Sequence, residues 1–218
     1  VQAPAPAAVR PMPSHTPGPP GTEGSGAPRR EGAPADPGRP RMFVDDLRDK
    51  MMAGNPDLAQ FRELQRKVLL KPEERELLHG IYKDREQIAA AKQDLLAQTE
   101  VTFNEDNQFR RLYRVEYLGM ALEWTQNPER AHVLDTVASL VSAQNLNAMQ
   151  EQSLRRSLSG DKVELMMILL HNDRPRAEQL IAQAQGTEYG DLLIYARTRF
   201  DALWALARQQ QQLPPTNP

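Results

Sequence analysis

Residues 109–124 read Phe109-Arg110-Arg111-Leu112-Tyr113-Arg114-Val115-Glu116-Tyr117-Leu118-Gly119-Met120-Ala121-Leu122-Glu123-Trp124. Tyr113, Tyr117, Met120 and Trp124 recur at steps of 4, 3 and 4, and Leu112, Val115, Leu118 and Leu122 form a second stripe beside the first. Two adjoining stripes at helical spacing make an apolar arc wider than a surface helix needs, so the stretch predicts a central helix packed on several sides. Thr102 or Asn104 fits the cap at its start, and the helix should run to about Gln126, where Asn127-Pro128 ends it. The arginines fall off the aromatic stripe, and the spacing predicts a solvated basic face with Arg111 and Arg114 pairing with carboxylates such as Glu105 and Glu116.

Helical signals continue in both directions. Toward the N-terminus, Asp57 to Leu70 places Leu58, Phe61, Leu64 and Val68 on one side, and Lys71-Pro72 breaks it. Pro72 then suits the first turn of one long helix reaching about Gln98, with Leu77, Ile81, Ile88 and Leu95 along it and Glu73, Glu74 and Glu76 complementing its positive end. Toward the C-terminus, Val133, Leu134, Val137, Leu140 and Val141 mark a helix that stops by Asn145. Leu146 to Leu158 reads as a weaker helix, Ser159-Gly160-Asp161 as a break, and Val163 to Leu170 as a short buried helix. Asp173-Arg174-Pro175 opens another, ended at Gly186. The last helix, Glu188 to about Gln210, carries Tyr189, Leu193, Ala196, Phe200, Leu203 and Ala207 at steps of 4 and 3, widened by Leu192, Tyr195 and Leu206 and flanked by Trp204. The sum is an all-α, irregular antiparallel bundle of seven to nine helices, with no strand signal and no internal repeat.

Composition divides the 218 residues. Residues 1–41 hold 11 of the 18 prolines and 6 of the 12 glycines, with little apolar surface to set against an ordering entropy of ~1–2 kcal/mol per residue. They read as a disordered, partly polyproline-II linker or tether; residues 42–212 read as a single helical domain and 213–218 as a C-terminal stub. The linker is net +2, leaving −4 for the rest of a chain of net charge −2. That balance argues against a nucleic-acid binder. The absence of cysteine excludes disulfides, thiolate metal sites and cysteine nucleophiles. The apolar run Leu165 to Leu170 is far short of the ~20 residues a membrane span needs. A chain opening Val1-Gln2-Ala3-Pro4 ahead of a proline-rich spacer fits a mature exported, periplasmic bacterial protein, with the cytoplasm as the alternative.

Two constellations invite a functional reading. Phe43, Val44, Leu47 and Met51 lie on one helical stripe at i, i+1, i+4 and i+8, between the linker and the Gly54-Asn55-Pro56 breaker, and Met42, Phe43, Leu47 and Met51 are the candidate partner-binding residues. Such a stripe is either the first core helix, its commoner meaning, or a peptide for another protein's groove. The second is a pair of Glu-x-x-His motifs, Glu76/His79 and Glu129/His132, on separate helices, with Glu63 and Glu116 or Glu123 on the helices between. Di-iron bundles use such pairs, but both glutamates stand in first helical turns that favour carboxylates without metal, and the histidines lie off the core stripes. No nucleophile motif or phosphate loop is present, so no catalytic residue, cofactor or metal is assigned. The expectation is a non-enzymatic interaction or scaffold protein, tethered into a larger assembly or self-associating, with a ferritin-like di-metal enzyme and a chaperone or secretion adaptor as alternatives.

Overall fold

The computed structural model describes residues 52–212, and among them every regular element is a helix. After a helical turn at residues 52–54 come α1 (Pro56–Gln65), α2 (Pro72–Tyr82), α3 (Arg85–Leu96), α4 (Glu105–Glu123), α5 (Arg130–Ser142), α6 (Gln152–Asn172), α7 (Arg174–Ala184) and α8 (Glu188–Gln212). The architecture is the expected all-α irregular antiparallel bundle. The expectations for residues 1–41 and 213–218 lie outside the described residues, as do the candidate partner-binding residues Met42, Phe43, Leu47 and Met51.

Residues 109–123 lie in the central helix, α4. Val115, Tyr117, Leu118, Ala121 and Leu122 of α4 are all buried, and α4 packs against α2, α3, α5 and α6. The side chain of Asn104 accepts from the Asn107 amide, the cap expected there. α6 is the second hub, packing on α4, α5, α7 and α8. One continuous core joins these helices, with Phe61 set edge-on to Tyr82 and Tyr117 at ring separations of 6.1 and 5.8 Å.

The structure departs from the sequence reading in three places. α1 stops at Gln65, five residues early, and Val68 stands 97% exposed instead of inward. Lys71 precedes a proline and is extended (φ −64°, ψ 158°), so the chain has to leave the helix before reaching it. The expected long helix from Glu73 to Gln98 is two, α2 and α3. Asp84 caps α3 by accepting from the Glu86 and Gln87 amides, while the Tyr117 hydroxyl and the Asn127 amide donate to the Ile81 and Tyr82 carbonyls that end α2. The break rotates the buried face of α2 to Leu78 and Tyr82, leaving Leu77 45% exposed. The expected break at Ser159-Gly160-Asp161 is absent. A lone helical glycine costs only ~1 kcal/mol, and the buried series Leu154, Leu158, Leu165 and Leu169 keeps helical phase straight through Gly160. The expected helix before it begins only at Gln152, and residues 143–147 have no regular structure.

These departures make opposite predictions for two side chains that the sequence places on one stripe. Phe61→Ala, at a site 1% exposed, should cost ~3–5 kcal/mol in denaturant unfolding, whereas Val68→Ala should change stability by less than ~0.5 kcal/mol. Comparable losses for the two would contradict the shortened α1.

Candidate interaction surface

Three cations lie inside the bundle, and each joins helices distant in sequence. Arg111 of α4 is 1% exposed. Its Nε donates to Asp161 Oδ2 at 2.8 Å, its Nη1 to Glu100 Oε2 at 2.7 Å and its Nη2 to Ser157 Oγ at 2.9 Å. The guanidinium thus fastens α4 to α6 and to the connection before α4. Arg114, one turn on, donates to Asp94 Oδ2 at 2.8 Å and Gln87 Oε1 at 3.0 Å, fastening α4 to α3. Both were expected on a solvated face; the structure buries them, and neither pairs with Glu105 or Glu116. Arg111 lies four residues before Val115 and Arg114 four before Leu118, so both are in phase with the second apolar stripe, and that phase was the available signal. Burial pushes the Asp161 carboxyl above its usual range, against the lowering pull of Arg111.

Lys162 of α6 is the third cation. Its ammonium donates to the Leu140 and Ala143 carbonyls at 2.7 and 2.6 Å, closing the C-terminal end of α5, and lies 5.4 Å from the centre of the Tyr189 ring. Burial lowers its pKa to about 8, against the opposing effect of Asp161. All three cations have structural partners, and this is a positioning network more than a reactive centre.

The Glu-x-x-His pairs are separated into other roles. His79 stacks flat on Trp124, with ring centres 3.9 Å apart. Glu129 accepts from Arg85 Nε at 2.8 Å, and His132 is exposed. Glu116 accepts from Arg62 and Gln65, both at 2.6 Å, Glu63 is near Lys67, and Glu123 is near His171 at 3.6 Å. Among the described residues no three histidine, aspartate or glutamate side chains converge as a metal site.

The surface with the clearest call for a partner is the end of α8. Leu193 and Ala196 are fully buried and Phe200 packs partly on the core, as the seam predicts. The seam then leaves the body. Every side chain from Ala202 to Gln209 is exposed, including Leu203 at 48%, Trp204 at 43% and Leu206 at 55%. Leu203 and Ala207 were expected inward, and the bundle ends before it reaches them. The segment Ala202-Leu203-Trp204-Ala205-Leu206-Ala207 is apolar all round the helix, a pattern stable in water only when other groups surround it. Its base is fixed by Phe200 stacking on Trp204 at 5.9 Å, by the edge of His171 against Trp204 at 5.7 Å, and by Arg174 donating to Asp201 at 2.9 Å. These contacts aim a preformed helix at solvent. No protein-family model, curated protein or solved structure matches the chain.

Two substitutions test the internal network. Arg111→Met leaves Glu100 and Asp161 facing each other without their cation, so it should cost ~3–5 kcal/mol at pH 7 and less in acid, where the Asp161 carboxyl, already raised by burial, takes up its proton. An equal loss at pH 7 and in acid would contradict the pairing. Lys162 has a folded-state pKa below its unfolded one, so its contribution to stability should rise as pH climbs from about 8 toward ~10. That rise should vanish in Lys162→Met when melting temperatures are followed across the window.

Proposed function

We propose that this chain is a non-enzymatic helical interaction protein whose bundle holds out the C-terminal part of α8 as a docking helix, with the proline-rich N-terminal residues as its tether into a larger assembly. The observation that carries the reading is the exposed run Ala202–Ala207. Monomeric proteins leave single apolar side chains in water routinely, but a contiguous apolar helix end is characteristic of an interface. A partner with an apolar groove fits it best, taking Leu203, Trp204 and Leu206, which fall within about one turn of the helix, as anchors. Tryptophan supports the assignment, since it is enriched among residues that dominate interface energetics.

The rest of the bundle gives the helix its direction. α8 has 25 residues, about 37 Å of helix at ~1.5 Å per residue, and its first half is clamped against α6 and α7. A partner therefore meets a helix whose ordering has largely been completed by folding, which lowers the entropic penalty of association.

The test is the double variant Leu203→Asp with Leu206→Asp. Both sites are about half exposed, so helicity and melting temperature should stay within the ~0.5 kcal/mol typical of surface changes. Association, read by crosslinking and light scattering with whatever partner or second copy the parent chain holds, should fall by at least about tenfold, as loss of two anchors implies. Retention of every parental association by a folded double variant would reject α8 as the docking element.

A further inference from the structure

We infer that the exposed end of α8 docks into a second copy of this chain, in the cleft beside the start of that copy's α8, so that copies join head to tail. The inference rests on the docking role proposed above for α8 and names its partner. The cleft has a volume of about 680 Å³ and lies between the connection from α5 to α6, α6 itself and the first turns of α8. Leu146, Ala148, Tyr189 and Leu192 give it apolar walls. Lys162 ties two of its walls together, donating to the Ala143 carbonyl and lying 5.4 Å from the centre of the Tyr189 ring. Met149, the residue after Ala148, is 84% exposed, an adaptable apolar side chain in the same connection.

Reach, shape and charge select a second copy as the occupant. α8 is one continuous helix from Glu188 to Gln212. Leu206 therefore stands about 21 Å along the axis from Leu192, and the end of α8 cannot fold back into the cleft of its own chain. At ~100° per residue, Leu206, Leu203, Ala207 and Trp204 follow one another round an arc of about 160°, a convex apolar ridge that calls for a concave apolar wall. Arg208 borders that arc about 40° beyond Trp204. Arg155 and Glu188 line the cleft, all three charges are exposed, and none has an ion partner among the described residues. Head-to-tail docking brings Arg208 to Glu188 and the carbonyl end of α8 toward Arg155, and it sets the negative end of one α8 toward the positive end of the next. Ridge and cleft are thus complementary and belong to one chain. A contact between two different patches repeats from copy to copy, closing as a ring or running on as a filament. The ridge is only a few side chains long, the scale of a transient interface, so the dilute chain stays monomeric.

Sedimentation of the full chain from about 1 μM to about 1 mM, the range of transient contacts, tests this. The average mass of the parent should rise with concentration. Glu188→Arg and Arg208→Glu should each weaken the association by about tenfold, and the two together in one chain should restore it. Ala148→Glu, at an exposed site in the cleft, should abolish it, as should Leu203→Asp with Leu206→Asp on the ridge. An equal mixture of the cleft variant and the ridge variant should nevertheless form dimers and nothing larger, because one intact ridge meets one intact cleft. A parent chain that stays monomeric at the highest concentration would overturn the inference while leaving α8 open to a different protein. Association lost with the ridge but untouched by Ala148→Glu would place the end of α8 against another surface and overturn it equally, as would charge reversals that fail to compensate.

Discussion

Arg111 is the interaction on which the arrangement of this bundle turns. One guanidinium, fully buried, takes partners from the connection before α4 and from Ser157 and Asp161 of α6, so that connection and α6 have to meet α4 at one point. Removing water makes the meeting obligatory: a buried guanidinium without its carboxylates, or the carboxylates without it, is destabilising by several kcal/mol. Apolar contacts alone let helices slide and rotate with modest loss. Directional bonds to Arg111, Arg114 and Lys162 remove that freedom, and they set α4 against α3, α4 against α6, and α6 against the end of α5. Once α6 is fixed, α8 has a floor to lie on and a defined direction beyond it.

Much of this was legible in the residues. The double stripe of α4 gave its central place, because an arc that wide admits no other position. The Asn104 cap, the α5 series Val133, Val137, Leu140 and Val141, and the turn at Gly186 (φ +82°) all follow from local chemistry that tertiary structure does not override. What was not legible is where packing decides. Gly160 has the composition of a breaker but sits in a helix whose buried leucines keep phase on both sides of it. Lys83-Asp84 has no strong breaker, yet the chain ends a helix there because Tyr117 and Asn127 take its terminal carbonyls from 36 and 45 residues away. Arg111 and Arg114 differ for another reason: their charge suggests a solvated face, while their helical phase puts both on the stripe of Val115 and Leu118.

The end of α8 shows the same limit. Periodicity identifies which side of α8 is apolar but not where the body stops supporting it, so Leu203 and Ala207 read as core. The length of α8 relative to its neighbours is a property of the whole bundle. The even apolarity of Ala202 to Ala207 was the one local hint, since a helix that faces only its own core has no need of leucine and tryptophan on its other sides.

The central claim is that α8 has two physically different halves, one held by the bundle and one left for a partner. Amide hydrogen exchange on the isolated chain reads this directly. Amides in the helix turns through Phe200 should exchange only by global unfolding, and those from Leu203 onward orders of magnitude faster, through local fraying. Uniform protection along α8 in the isolated protein would mean that its own chain already covers the apolar end, and would contradict the account.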